Sequence, residues 1–444
     1  MGRRFGVLTR WALLFMGLTI GLVLAELIIR SQISDLYCVW PRHLEETFHL
    51  ETPGLTGPSK FTTNSVGIRG DEFNDSQRYR ILAVGGSTTA CVYLDDSEAW
   101  PHLVQDRLNA RLGPGAAWVG NVGRPGHMTA QHVLQIERLL PQHREIDAVV
   151  LLVGVNDMLI FLSVTQDISR GSAYVIGQSM FRRIARAFVS YPIPQEDAPW
   201  YHNLGLARIL TGSRWTFERR TDLPSFMDQQ GRYVNQMREF RRNASGFRDE
   251  IPELTKALSG YKSRLEMSID TAASFGVRVV FMTQPSIWRS DLTAQEQDLL
   301  WLGGPPLMRA TPGEEYYSVS ALSEAMDQFN GTLLEVCRER RIECLDIAAM
   351  LPRDSTVFYD DVHFAEEGAR QLADRLSEFL LGLDPLVSLR TTSRGPGVTD
   401  RSITSAELDG YSASINQDAR HQDIDGPGTH HEAGGVRLRA RAGR

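Results

Sequence analysis

An aliphatic run that ends on two glycines constrains this chain more than any other feature. Ile81, Leu82, Ala83 and Val84 lead into Gly85-Gly86-Ser87-Thr88-Thr89. A run bounded this way reads as a buried parallel strand entering a tight turn, and paired glycines leave open space around Ser87. Gly-Gly-Ser alone also marks ordinary turns, so the constraint comes from repetition. Residues 117–123, 146–153, 277–282 and 342–347 are further strand-like runs, and the second of them, 146–153, ends at Gly154-Val155-Asn156-Asp157. Between them lie helical patterns: Ser97, as a cap, through Leu112; the segment after Gly126 and Thr129; and residues 262–275, 320–340 and 365–381. Strand–helix alternation predicts a parallel sheet covered by helices.

The ends of the chain read differently. Residues 11–29 are apolar except for Glu26, and Arg3, Arg4 and Arg10 precede them. As a helix this segment is about 28 Å long, close to the hydrocarbon thickness of a bilayer. The basic flank places residues 1–10 in the cytoplasm and the bulk of the chain across the membrane, as a retained single-pass signal anchor. A cleaved signal peptide competes, because Val23-Leu24-Ala25 is an acceptable cleavage site. Glu26 sits where it can reach headgroups or another helix. Residues 30–77 read as a juxtamembrane approach, in which Thr63 to Gly70 form a turn with an anchoring arginine. A similar fragment, Asn243 to Arg248, reads as turn chemistry again.

The segment of about 158–260 is too long for a structureless connection and reads as a helical cap or lid, with a partner-binding module as the other reading. Beyond about residue 389, Ser, Thr, Gly, Asp and Arg replace periodic hydrophobicity, which predicts a disordered tail to residue 444. Tail histidines His421, His430 and His431 read as incidental. A formal charge of -7 excludes nonspecific nucleic-acid binding as a general expectation. Cys38, Cys91, Cys337 and Cys344 show no zinc-site spacing. Cys337 and Cys344 can pair in an exported domain, although two small buried hydrophobes is the simpler reading.

In open α/β sheets ligands bind beyond the carboxyl ends of strands, and the chemistry-bearing residues here cluster at such ends. Ser87 offers a hydroxyl nucleophile. His363 is the best general base for it, since neutral imidazole can take the hydroxyl proton and return it to the leaving group. Asp360 would hold the other ring nitrogen, while Asp361 would face solvent or cap local backbone; chemistry alone does not choose between the two acids. The amides of Ser87 and Gly126 and the side chain of Asn156 are candidate donors to an oxyanion. This set needs no cofactor. A metal role for Asp360 and His363 lacks a persuasive third ligand.

These segments resemble the SGNH hydrolase superfamily, the GDSL-like esterases and lipases. AVGGSTT at 83–89 is similar to block I, with Ser87 as nucleophile, and NVGRPGHMT at 121–129 to block II, with Gly126 in the oxyanion hole. GVNDM at 154–158 resembles block III and assigns Asn156; DDVHF at 360–364 resembles block V and assigns Asp360 and His363. Gly86 departs from the Asp of the GDS spelling. The resemblance covers roughly residues 60–385 and implies a hydrolase domain over 78–388. Its fold would be a three-layer α/β/α sandwich with a mostly parallel five-stranded sheet, preceded here by the transmembrane helix. Thr63 to Arg69 is also similar to the stretch before block I in membrane-associated bacterial members.

The resulting expectation is an extracytoplasmic, membrane-anchored serine ester hydrolase working through an acyl-serine. Its partners would be the membrane and an acyl or acetyl ester, on O-acetylated envelope carbohydrate or on lipid. Trp200, Trp215, Trp288 and Trp301 suit stacking on sugars, binding acyl chains, or plain packing. An O-acyltransferase, or an inactive carbohydrate-binding or assembly protein, are the alternatives.

Overall fold

The computed structural model describes residues 2–32, 36–48, 55–74, 76–169, 180–191, 204–210, 223–305 and 310–383. The tail expected from about residue 389, its histidines, and Trp200 and Trp215 lie outside the described residues. Helix α1 (Gly2–Gln32) leads to an antiparallel pair, β1 (Glu45–Phe48) and β2 (Ser59–Thr62). Strand β3 (Tyr79–Gly85) runs into the single turn α2 (Ser87–Ala90) and then α3 (Trp100–Leu112). Next come β4 (Ala117–Asn121), α4 (Thr129–Leu139), β5 (Ala148–Leu152) and α5 (Val155–Ser169). The long connection carries α6 (Met180–Ala187), α7 (Gly205–Leu210), α8 (Leu223–Arg242), β6 (Gly246–Arg248) and α9 (Thr255–Ser274), ahead of β7 (Arg278–Met282). After these follow α10 (Ala294–Gln297), β8 (Glu315–Tyr317), α11 (Val319–Arg340), β9 (Glu343–Leu345), α12 (Ile347–Met350) and α13 (Glu366–Gly382).

Five strands form one parallel sheet in the order β4-β3-β5-β7-β9. Every residue of β4 and β5 is buried, so both faces of the sheet are covered, as continuous apolar runs such as Ala148–Leu152 require. Two separate groups of helices provide that cover: α3 with α13, and α4, α9 and α11 with α5. From β3 the chain goes out to the edge strand β4 and returns to β5 on the other side of β3. The strand order therefore reverses beside the carboxyl ends of β3 and β5, the place where open α/β sheets bind ligands.

Several local expectations change. Helix α3 starts at Trp100 with Ala99 as cap residue and Pro101 in the first turn, not from Ser97, whose hydroxyl instead donates to Asp95 Oδ1 at 2.7 Å. Proline fits the first turn because its missing N–H would have no helical partner there. Gly246–Arg248 is no turn: it pairs in parallel with Glu315–Tyr317, and Arg248 binds Glu315 at 2.6 Å. Cys337 and Cys344 are bridged, with Cα atoms 6.2 Å apart, which corrects the reading of two separate small hydrophobes. The turn joining α11 to β9 brings the two residues within the span a disulfide needs.

Residues 36–48 and 55–74, part of the stretch read from sequence as an approach to the domain, pack into it. Val39, Trp40, Phe48, Phe61 and Ile68 belong to the main core, and Trp40 Nε1 donates to the Gly123 carbonyl at 3.0 Å. Within α1, Arg10–Ser31 contains an 18-residue stretch of mean hydropathy 2.4, and the side chains from Trp11 to Leu24 are exposed. Glu26, near the carboxyl end of this helix, accepts hydrogen bonds from the Gly205 and Leu206 N–H groups at 2.7 and 3.0 Å. Of its two expected roles, reaching another helix is the one observed.

Candidate active site

Ser87 is the first residue of α2, immediately beyond β3, and two glycines are what allow it to sit there. A Cβ on Gly85 would lie 2.6 Å from the Leu152 carbonyl oxygen, which is fixed backbone of the neighbouring strand. A Cβ on Gly86 would lie 2.4 Å from Asn156 Nδ2. The loop after Ser87 is held from beneath by Arg69. Its guanidinium donates to the carbonyls of Ala90 (2.6 Å), Cys91 (2.8 Å) and Leu94 (2.8 Å) and pairs with Asp96 at 2.8 Å. The anchoring arginine read from sequence thus holds the loop that follows Ser87.

His363 Nε2 lies 2.7 Å from Ser87 Oγ, and its Nδ1 lies 2.7 Å from Asp360 Oδ2. Asp360 Oδ1 also accepts from the backbone N–H groups of Val362 (3.0 Å) and His363 (2.8 Å), and Oδ2 from Trp301 Nε1 (2.9 Å). Burial alone would raise the Asp360 pKa. The imidazole charge and these hydrogen bonds outweigh burial and hold the carboxyl below its usual range. Burial disfavours the His363 cation, but Asp360 beside it reverses the balance and the imidazole pKa rises above its ordinary value. An ionised Asp360 requires a proton on Nδ1, which leaves Nε2 to accept from the serine hydroxyl.

Asp361 does not face solvent. It is fully buried and accepts from Trp288 Nε1 at 2.9 Å and from the N–H groups of Trp301 and Leu302 at 2.7 and 3.2 Å. Two adjacent acids thus take separate tasks: Asp360 holds the imidazole, and Asp361 ties the 301–302 loop beneath it. Trp301 and Tyr359 lie nearly parallel to the His363 ring, at 7° and 15°.

Gly126 occupies a β-turn in which His127 N–H donates to the Arg124 carbonyl at 3.2 Å. Pro125 and Gly126 take the two central positions, and Gly126 has φ +76°, the geometry of a type II turn. In that turn the third residue's N–H points outward, and among the described residues neither the Gly126 nor the Ser87 N–H has a protein partner. Asn156, in the first turn of α5, donates through Nδ2 to the His127 carbonyl at 2.8 Å, which fixes its amide beside Gly86. The structure therefore gathers all five of the sequence-derived residues, Ser87, Gly126, Asn156, Asp360 and His363, at the point where the strand order reverses.

A model of the GDSL-like Lipase/Acylhydrolase family matches residues 83–371, from the strand before Ser87 to beyond His363. The chain belongs to that family. Its members are ester hydrolases, and this chain is an enzyme of that kind. None of the curated proteins compared with it matches. Among solved structures it is similar to the acetyl xylan esterase AlAXEase (13% identity, 68% of this chain and 99% of the other, TM-score 0.35). It is also similar to a lipolytic G-D-S-L family protein from Veillonella parvula (13%, 69% and 100%, 0.35) and to the M. smegmatis aryl esterase (11%, 69% and 100%, 0.36). At such identities and scores these likenesses carry no argument about what this GDSL-like chain acts on.

Sequence reasoning missed the residues that support this GDSL-like site. Arg238 and Arg241 on α8 donate to the carbonyls of Tyr359 (3.1 Å) and Leu302 (2.5 Å), clasping the loops that carry Asp360 and Trp301. Asp157, next to Asn156, is buried and accepts from the Thr129 N–H (3.0 Å), the Thr129 hydroxyl (2.6 Å) and Arg264 Nη2 (3.0 Å). It locks the start of α5 to the start of α4, and so Asn156 to the Gly126 turn. Trp288 and Trp301, candidates for stacking on substrate, spend their indole N–H groups on Asp361 and Asp360. The Asp in the GVNDM segment was the one visible signal; the arginines come from distant helices with no local mark.

Proposed function

We propose that this protein is a membrane-anchored, extracytoplasmic serine esterase that works through an acyl-serine. The continuous hydrogen-bonded chain Asp360–His363–Ser87 carries the reading, beside N–H groups on Ser87 and Gly126 that have no partner among the described residues. Ser87 Oγ attacks the ester carbonyl while its proton passes to His363 Nε2, and the C=O electron pair becomes an oxyanion facing Ser87 N–H, Gly126 N–H and Asn156 Nδ2. Collapse breaks the C–O bond, and imidazolium gives its proton to the departing alcohol. Water then attacks the acyl-serine, with His363 again taking a proton, and acid and free Ser87 result. Asp360 stabilises the imidazolium in both halves.

The anchor rests on the apolar surface of α1, which is exposed along the window and so differs from the core helix of a soluble fold. The Cys337–Cys344 bridge favours an oxidising compartment. O-acetylated envelope carbohydrate and lipid ester are the substrate classes that fit such a location. Purified protein should release acid from acetyl or short-chain esters and react at Ser87 with a fluorophosphonate. A folded Ser87→Ala protein with undiminished hydrolysis would defeat the proposal.

A further inference from the structure

The block II turn contains a second charged group that the acyl-transfer steps do not use. Arg124 is the first residue of that turn, two positions before Gly126, and its own N–H donates to the Gly85 carbonyl at 3.0 Å, two residues before Ser87. The turn holds its ends within about 7 Å of each other, so the Arg124 side chain starts beside the donor expected to face the oxyanion. Its guanidinium is half-buried, 5.9 Å from the Trp40 ring centroid. Among the described residues a single long bond of 3.4 Å, from Nη1 to the Val39 carbonyl, is its one side-chain hydrogen bond.

Half-buried Arg124 is unlike the buried arginines of this domain. Arg69 reaches Asp96 and three carbonyls, Arg264 reaches Asp157 and Thr129, and Arg241 reaches two carbonyls in the field of Asp361. Arg124 forms no ion pair with any described carboxylate, and burial, with nothing to offset it, pushes its pKa down to about 10. A guanidinium partly withdrawn from water without a counterion is costly, and one long hydrogen bond and the Trp40 ring offset little of that. Its remaining donors suit the bidentate recognition of a carboxylate or phosphate.

We propose that Arg124 is a specificity residue that binds an anionic group, a carboxylate or a phosphate, carried by the ester substrate close to the scissile bond. The inference rests on the esterase reading above and refines it: the preferred ester is acidic, not neutral. Trp40 packs against the guanidinium and is itself fixed to the same loop through its bond to the Gly123 carbonyl, so the cation is held in place before substrate arrives. Esters on acidic carbohydrate and on anionic lipid both present such a group, and they differ in whether it is a carboxylate or a phosphate.

The test compares acetate release from 3-acetoxybenzoate, 3-acetoxyphenyl phosphate and the neutral 3-acetoxybenzamide, by the full-length protein and by Arg124→Gln and Arg124→Lys. The wild type should favour at least one anionic ester over the amide by about 10- to 100-fold in kcat/KM, chiefly through KM, the range one charge-assisted pair provides. That ratio should fall toward unity in Arg124→Gln, recover in part in Arg124→Lys, and shrink with added salt in the wild type. Whichever anion gains more identifies the carboxylate or the phosphate source. Equal kcat/KM on all three esters in the wild type, or a preference that survives Arg124→Gln, would overturn the proposal. As a readout independent of turnover, benzoate or inorganic phosphate should slow fluorophosphonate labelling of wild-type Ser87 and not of Arg124→Gln; equal slowing of both would overturn it too. Absence of both labelling and hydrolysis would instead count against the esterase reading itself.

Discussion

Gly86→Ala should remove most of the activity while leaving the fold standing. The added Cβ would lie 2.4 Å from Asn156 Nδ2, about 1 Å inside the 3.4 Å at which ordinary contact begins. A left-handed backbone is not the cause, because φ at Gly86 is −83°. What must yield is the far end of the Asn156 side chain, held in place by its 2.8 Å bond to the His127 carbonyl. Swinging it away loses one hydrogen bond, about 1 kcal/mol of stability, but withdraws a donor from the oxyanion, worth about 3 kcal/mol or a hundredfold or more in kcat. The assay is kcat on an acetyl ester together with urea denaturation for Gly86→Ala, Asn156→Ala and the double variant. Because both changes remove the same donor, the double variant should be no slower than Asn156→Ala. Full activity in Gly86→Ala, or losses that multiply in the double variant, would refute the assignment of Asn156 and the account of why the usual Asp of the GDS spelling is absent here.

Since Asp360 raises the His363 pKa, the acid limb of kcat/KM should lie above the ordinary histidine value of about 6.5, with activity gained as the imidazolium loses its proton. Asp360→Asn removes the charge and leaves burial to dominate, so residual activity, down about 10³- to 10⁴-fold, should show its limb shifted to lower pH; an unmoved limb would exclude the pairing. Asp157→Ala strands the buried Arg264 cation and should cost about 3–5 kcal/mol in urea unfolding, much of it restored by adding Arg264→Met; a loss below about 1 kcal/mol would show the pair to be idle. Cys337→Ser should cost about 2.5 kcal/mol, the closure entropy of a loop with a sequence separation of 7, and unchanged stability would mean that the bridge does not form in solution.

Of the residues proposed to act on the substrate, Ser87 and Asn156 were readable because each stands where a buried apolar run stops. Ile81–Val84 ends at Ser87, and 146–153 ends at Asn156, so strand ends told in advance where chemistry gathers. The Pro125-Gly126 pair likewise carried its own turn type. The supports were hidden because their causes are long-range. Arg238 and Arg241 look like ordinary helix-face arginines until the fold brings the Tyr359 and Leu302 carbonyls to them, and Arg264 lies 107 residues from Asp157. Asp361 was misread because sequence spacing cannot show that Trp288 Nε1 and two amides converge on it. The β6–β8 pair is three residues per strand, too short for alternation to register.

The hydroxyl and the imidazole proposed to activate it are 276 residues apart, one just beyond the first central strand and the other beyond the last. Synthesis therefore delivers the attacking group early and withholds its proton acceptor until nearly the whole domain exists. A chain cut short before the final loop would keep the donors and the hydroxyl and have no means of using them, so completion of the fold is itself the on-switch for reactivity.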